Sequence, residues 1–245
     1  MRKLRGSSYW FVLPMVSALL GLNMSFAYSD AVPVVQPLKL EGKMVCIGAS
    51  ITAGEGVKPD ESYVGLLKAK AAAEHLKLEI VGQGRSGWST GAYVANKQKM
   101  LDAMPADATI VSILLGTNDS RDKGTPAEVG KKAGENLAKL IDIYREKVPG
   151  AQFVIAAPTK QYTEILTRRL LDAHYGTTSA ANLVEISAAF KAVAKERGYL
   201  FVDLTQVPSS RDKSIDGVHP NAAGHKELFE AYWKALTTSG STTKP

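Results

Sequence analysis

Residues 108–115 read ATIVSILL, a run rich in aliphatic and β-branched side chains that Gly116 closes. The run is too short for an ordinary helix and shows no polar face, so it predicts a strand buried from both sides. Strands of that kind sit in parallel sheets with helices over each face. The rest of the chain agrees. Shorter apolar runs at 43–48, 78–81, 153–157 and 200–203 read as further strands, and helical stretches at 62–76, 92–104, 126–148, 179–197 and 221–236 separate them. Within 126–148, Ala133, Leu137, Leu140, Tyr144 and Val148 share one face. Thr125, Pro126 and Glu128 predict its N-terminal cap. In 179–197 Leu183, Ile186, Phe190 and Val193 align, and Gly198 ends the stretch. Strands that alternate with helices need crossover connections. The expectation is one three-layer α/β domain around a mostly parallel sheet of about five strands.

The N-terminus is of a different kind. Arg2, Lys3 and Arg5 precede a nearly unbroken apolar stretch over 9–22, and Ser25-Phe26-Ala27 then offers small residues at the positions a signal peptidase reads. As a membrane anchor the stretch is short against the ~20 residues a span needs, and Pro14 interrupts it. The reading is therefore a signal peptide over 1–27, removed on export to the periplasm or the medium, with no stable membrane insertion afterwards. Ser29 is an alternative point of cleavage. An extended lead-in with Pro33 and Pro37 follows over 28–41, then the folded domain over 42–237 and a polar, flexible tail over 238–245.

Charge and cysteine usage exclude several classes. The chain carries a formal +6, and residues 1–27 contribute three of those charges with no acidic residue. The remaining basic residues fall in scattered pairs such as Lys97 and Lys99, Lys131 and Lys132, Arg168 and Arg169. No basic stripe interleaved with aromatics appears, which argues against nucleic acid as a partner. The single cysteine, Cys46, lies between Val45 and Ile47 and reads as a small buried apolar residue. No Cys/His spacing suits zinc, and neither a metal nor a cofactor is expected.

Four short motifs carry the chemistry. Gly48-Ala49-Ser50-Ile51 ends the first strand, Gly82-Gln83-Gly84 the second and Gly116-Thr117-Asn118-Asp119 the third, while Asp216-Gly217-Val218-His219-Pro220 follows the fifth. Each is weak alone: a serine after a strand is usually a helix cap, and the glycines and Asn118 suit turns. Together they fall on one edge of the sheet, at the C-terminal ends of the strands, where open parallel sheets build their sites. A serine hydroxyl needs a base to become nucleophilic, and His219 can serve near neutral pH. Asp216, three residues earlier, can orient the imidazole and stabilise its charged form. The backbone N–H groups of Ser50 and Gly84 and the side-chain amide of Asn118 can form an oxyanion hole. Glycine at 84 is expected to let the backbone approach a substrate closely.

These residues resemble the motif blocks of the SGNH hydrolases, also called GDSL esterases/lipases, over about residues 43–236. Ser50 matches the first block, Gly84 the second, Asn118 the third, and Asp216 with His219 the fifth. The resemblance implies a flavodoxin-like three-layer fold, a metal-free mechanism and ester hydrolysis. Two positions depart from it: Ala49 stands where an aspartate is usual, and Gly82 where an asparagine is common. The motif Leu115 to Ser120 (LGTNDS) resembles that of acetylesterases acting on sugars. The expected function is a serine esterase removing small acyl groups, acetyl first, from a small-molecule or carbohydrate ester. The alternatives are a thioesterase I/lysophospholipase-like arylesterase and a non-catalytic binding module on the same fold. The loops on the active edge carry Arg85, Arg121, Lys123, Lys160, Arg211 and Lys213 with few aliphatic residues, and Trp88 and Tyr162 are the candidate sugar-stacking rings.

Overall fold

The computed structural model describes residues 34–239; the signal-peptide reading over 1–27 and the tail from 240 lie outside them. Five strands form one sheet: β1 (Gly42–Gly48), β2 (Leu78–Gly84), β3 (Ile110–Leu114), β4 (Gln152–Ala156) and β5 (Leu200–Val202). Their order is β2-β1-β3-β4-β5 and every pairing is parallel. This is the flavodoxin-like order, with its topological switch between β1 and β3.

Eight helices accompany the sheet among the described residues: α1 (Ser50–Ala53), α2 (Tyr63–Ala73), α3 (Thr90–Ala95), α4 (Lys97–Ala103), α5 (Pro126–Lys147), α6 (Arg168–Asp172), α7 (Thr177–Glu196) and α8 (Ala222–Ser239). Side chains alternate across the sheet. On one face Val45, Ile47, Val111, Ile113, Phe153 and Ile155 pack with Tyr93, Met100, Leu137, Ile141, Ile186 and Phe190 from α3, α4, α5 and α7. On the other, Met44, Cys46, Ile110, Val154 and Val202 pack with Tyr63, Leu67, Leu228, Tyr232 and Leu236 from α2 and α8. Cys46 is fully buried in that second layer, and burial pushes its thiol up to about 12.

Helix α5 begins with the expected capping box. The Thr125 hydroxyl accepts from the Glu128 N–H, and the Glu128 carboxylate accepts from the Thr125 N–H at 2.8 Å. The helix expected over 92–104 is two helices. The Asn96 side chain donates to the Ala92 carbonyl at 2.8 Å, a local bond that competes with the helical ladder, and Asn96 leaves the helical region at φ −109°, ψ 36°. The last helix runs to Ser239, so 238 and 239 are helical rather than part of a tail. In the lead-in, Gln152 fastens the chain to the sheet: its Oε1 accepts from the Lys39 N–H and its Nε2 donates to the Pro37 carbonyl.

Register decides what happens at the active edge. Gly48 pairs with Gly84 on one side and with Leu114 on the other, so three strands end level. Space there is scarce. A Cβ on Gly48 would lie 1.9 Å from the Thr52 Oγ1 and 2.8 Å from the Leu114 carbonyl. A Cβ on Gly84 would lie 2.2 Å from the Ala53 nitrogen. The glycine at 84 therefore serves close packing of β2 against α1. The sequence reading gives it a close approach to substrate; this approach to α1 is a second demand on the same position.

Gly84→Ala is expected to destabilise the fold by ~1–3 kcal/mol, the usual range for overpacking, because the group it meets is backbone. Thermal unfolding checks this, at roughly 2–4 °C per kcal/mol for a domain of this size. Gly150→Ala is the control, since its Cβ would meet nothing within 4 Å.

Candidate active site

The short turn after β1 delivers the serine. Ala49 is the N-cap of α1, and Ser50 opens the helix. The N–H of a first helical residue has no partner within its own helix and is free to face outward. Ala49 itself is buried in the apolar core, so the position that departs from the family pattern is here part of a hydrophobic wall. The Tyr93 hydroxyl donates to the Gly48 carbonyl at 2.7 Å and the Arg85 N–H to the same oxygen at 2.8 Å. These two bonds fix the turn. Because the Arg85 N–H bonds to β1, alternation along the edge strand turns the Gly84 N–H away from β1 and leaves it outside the sheet ladder.

The loop after β5 brings the histidine. The Ile215 N–H donates to the His219 carbonyl at 2.8 Å, folding 215–219 into a closed turn. Gly217 stands in the left-handed region at φ +90°, and a Cβ there would lie 2.4 Å from the Tyr162 carbonyl. Within the turn, Asp216 Oδ1 accepts from the backbone N–H of His219 at 2.8 Å and of Val218 at 3.1 Å. Its Oδ2 lies 2.8 Å from His219 Nδ1, and His219 Nε2 lies 3.0 Å from Ser50 Oγ. Burial alone would raise the Asp216 carboxyl, but the hydrogen bonds from the His219 ring and backbone outweigh it and hold the group at about 2. An ionised carboxylate only accepts, so Nδ1 carries the ring proton and Nε2 is left to accept from the Ser50 hydroxyl.

Asn118 caps the short 3₁₀ turn after β3. Its Nδ2 donates to the Trp88 carbonyl at 3.0 Å and its Oδ1 accepts from the Tyr175 hydroxyl at 2.9 Å. One amide N–H then remains for a ligand. The loop that carries Trp88 is anchored by Asp119, which accepts from the Thr90 N–H and from the Thr90 hydroxyl. Burial raises the Asp119 carboxyl against those bonds. Ser50, Asn118, Asp216 and His219 are all buried, none more than 8% exposed.

The structure thus brings together Ser50, Gly84, Asn118, Asp216 and His219. Of the two candidate stacking rings it buries one. Tyr162 is buried and donates its hydroxyl to the Pro208 carbonyl at 2.7 Å, while its N–H donates to the Gly217 carbonyl. It braces the histidine loop. Trp88 is half-buried, edge-on to Tyr93 at 5.2 Å, with Arg85 and Lys99 at 5.3 and 5.5 Å from its ring centre. Sequence reasoning missed Tyr175, Thr90 and Asp119. Asp119 adjoins Asn118 in the motif, but nothing in the sequence marks Tyr175. Among the described residues no cluster of three or more His, Cys, Asp or Glu could hold a metal ion, and no helix is long and apolar enough to cross a membrane.

Comparisons with known proteins agree with this geometry. The model of the GDSL-like Lipase/Acylhydrolase family matches residues 46–227, a span that includes all five site residues. The GDSL lipase Rv0518 of Mycobacterium tuberculosis is 25% identical over 209 residues, covering 80% of this chain and 83% of that protein. Esterase TesA of Pseudomonas aeruginosa is 25% identical over 201 residues, covering 79% and 87%. Among solved structures, a member of the lipolytic protein G-D-S-L family from Veillonella parvula superposes with a TM-score of 0.63 at 19% identity, covering 80% of this chain and 98% of that one. Est24 of Sinorhizobium meliloti, described as a carbohydrate acetylesterase, does so with a TM-score of 0.62 at 18% identity, covering 80% and 98%. The two structural likenesses speak to the fold.

A second histidine behind the site gives a test of pH dependence. His225 is fully buried, stacked on Tyr63, and its Nδ1 accepts from the Tyr63 N–H at 3.2 Å. Its Nε2 has no hydrogen-bond partner. Burial, with the nearby His219 charge, lowers it from 6.5 to about 4. Between those values the unfolded chain binds a proton that the folded chain refuses, so stability falls as pH drops through that window. Denaturant unfolding from pH 7 to 4 is expected to show this fall, and His225→Gln is expected to flatten it.

Proposed function

Because the chain belongs to the GDSL-like lipase/acylhydrolase family of carboxylic ester hydrolases, we propose that it is an exported serine esterase removing small acyl groups, acetyl foremost, from hydroxyl-rich alcohols such as sugars. The single observation that carries the reading is the unbroken chain from Ser50 Oγ through His219 Nε2 at 3.0 Å to Asp216 at 2.8 Å.

On this reading Ser50 Oγ attacks the ester carbonyl as its proton passes to His219 Nε2, and Asp216 stabilises the imidazolium. The carbonyl oxygen gains charge and is held by the N–H groups of Ser50 and Gly84 and the free amide N–H of Asn118. The C–O bond then breaks, the departing alcohol takes the proton from His219, and an acyl-serine remains. Water gives a proton to His219 and adds to that acyl group, and its hydrolysis restores Ser50 and releases the acid.

The substrate class rests on the surroundings. Beside Gly84 lies a cleft of about 760 Å³ in which Asp60, Lys68 and Gly82 mix with Val57, Pro59 and Val64. Asp60 and Lys68 there can bond to hydroxyls, while Thr52 and Ser62 are engaged with Tyr63, Pro59 and Gly65. Gly82, where the family commonly has an asparagine, widens the cleft. Est24, which shares the fold, is a carbohydrate acetylesterase. Export rests on the basic start and the short apolar stretch over 9–22.

A second reading has its own observation. Ile215 and Leu171 are each 49% exposed, and Ile215 belongs to the loop that carries His219. Apolar side chains there suit a longer acyl chain, as a TesA-like arylesterase would use.

A C2–C12 series of nitrophenyl esters separates the two. The proposal expects kcat/KM to be highest for acetate and to fall by C8. A methylene that finds an apolar wall adds up to ~0.8 kcal/mol, so a working acyl groove would instead give a steep rise, and a maximum at C8 or beyond favours the second reading.

A further inference from the structure

We propose that Tyr175 is a positioning residue for the oxyanion hole, one that fixes which way the Asn118 amide faces; the inference rests on the serine-esterase reading above. A side-chain amide can present either its nitrogen or its oxygen to a ligand. Only the nitrogen stabilises an oxyanion, and the oxygen would repel it. Two contacts decide the matter here. The Trp88 carbonyl, 3.0 Å from Nδ2, accepts only. The Tyr175 hydroxyl, 2.9 Å from Oδ1, supplies the donor that the amide oxygen needs. Turning the amide over would set oxygen against oxygen at Trp88. The Tyr175 hydroxyl satisfies the oxygen in its present place and leaves one N–H of the amide unused.

The phenol is well placed for this. Tyr175 follows α6, in a connection remote from β3, and is buried in a small cluster with Leu170 and Val218, with Leu166 and Ala173 against it. Val218 adjoins His219, so one side chain touches both the oxyanion wall and the loop of the base. Arg121 lies 5.2 Å over the Tyr175 ring, and its Nε donates to the Asn118 carbonyl at 3.3 Å. Asn118 is thus held by its main chain through Arg121 and by its side chain through Tyr175. Burial pushes the Tyr175 hydroxyl above the ordinary tyrosine range, which keeps it protonated and donating over the pH range of ester hydrolysis.

Tyr175→Phe removes the hydroxyl and keeps the ring that packs on Val218. With nitrophenyl acetate, kcat is expected to fall about tenfold with KM nearly unchanged, since the lost bond acts on developing charge. The melting temperature is expected to stay close to that of the unmodified chain. In an Asn118→Ala background the same substitution is expected to leave kcat within about twofold, because the amide it positions is gone. A merely structural tyrosine would lower kcat by the same factor in both backgrounds. That result, or a Tyr175→Phe variant with unaltered kcat beside a damaged Asn118→Ala, overturns the inference and leaves the esterase reading standing. If Asn118→Ala alone turned over normally, the oxyanion assignment would fall and this inference with it.

Discussion

The register of the central strands is the constraint on which the site depends. Gly48 sits opposite both Gly84 and Leu114, so the residues that follow β1 and β3 and the last residue of β2 arrive at one level. Shift β1 by one residue and Ser50 would no longer share that level with Gly84 and Asn118. The register is in turn held by the alternation of the strands. Met44 and Cys46 belong to one helical layer, Val45 and Ile47 to the other, and a one-residue slip would send each to the wrong side. Core packing and site geometry are therefore one requirement.

The histidine half of the site is built differently. No strand pairing positions His219. It is held by a turn of local hydrogen bonds within 214–220 and by a brace from the segment between β4 and α7. In that brace Tyr162 bonds to Gly217 and Pro208, while Leu170 and Tyr175 pack on Val218. The same segment reaches Asn118 through the Tyr175 hydroxyl. The two halves meet through it as well as through the bond from Ser50 to His219.

This division explains what the sequence could disclose. The strands and long helices were legible because burial repeats with the period of the element: ATIVSILL for β3, and Ala133, Leu137, Leu140 and Tyr144 along α5. The ordered motifs at strand ends named Ser50, Gly84, Asn118, Asp216 and His219 without reference to any contact. The brace was not legible. Arg168–Asp172 is a short helix rich in charge, and the value of Tyr175 and Tyr162 lies in contacts to chain more than forty residues away, at Asn118 and Pro208. A lone tyrosine in a polar stretch reads as a surface residue, and Tyr162 was misread for that reason. Gly84 is marked by its motif, but its close approach to α1 is not. The break at Asn96 depended on a single side-chain bond, which periodicity does not record.

The central claim is that Ser50 is an activated nucleophile and not a buried helix-cap serine. A fluorophosphonate probe tests it most directly, because only a serine with a working base forms the phosphonyl adduct. Peptide mass mapping after labelling is predicted to place one adduct on Ser50, with none in His219→Ala under the same exposure. An adduct on Ser86 or Ser89 instead, or no adduct on a folded chain, would contradict the account.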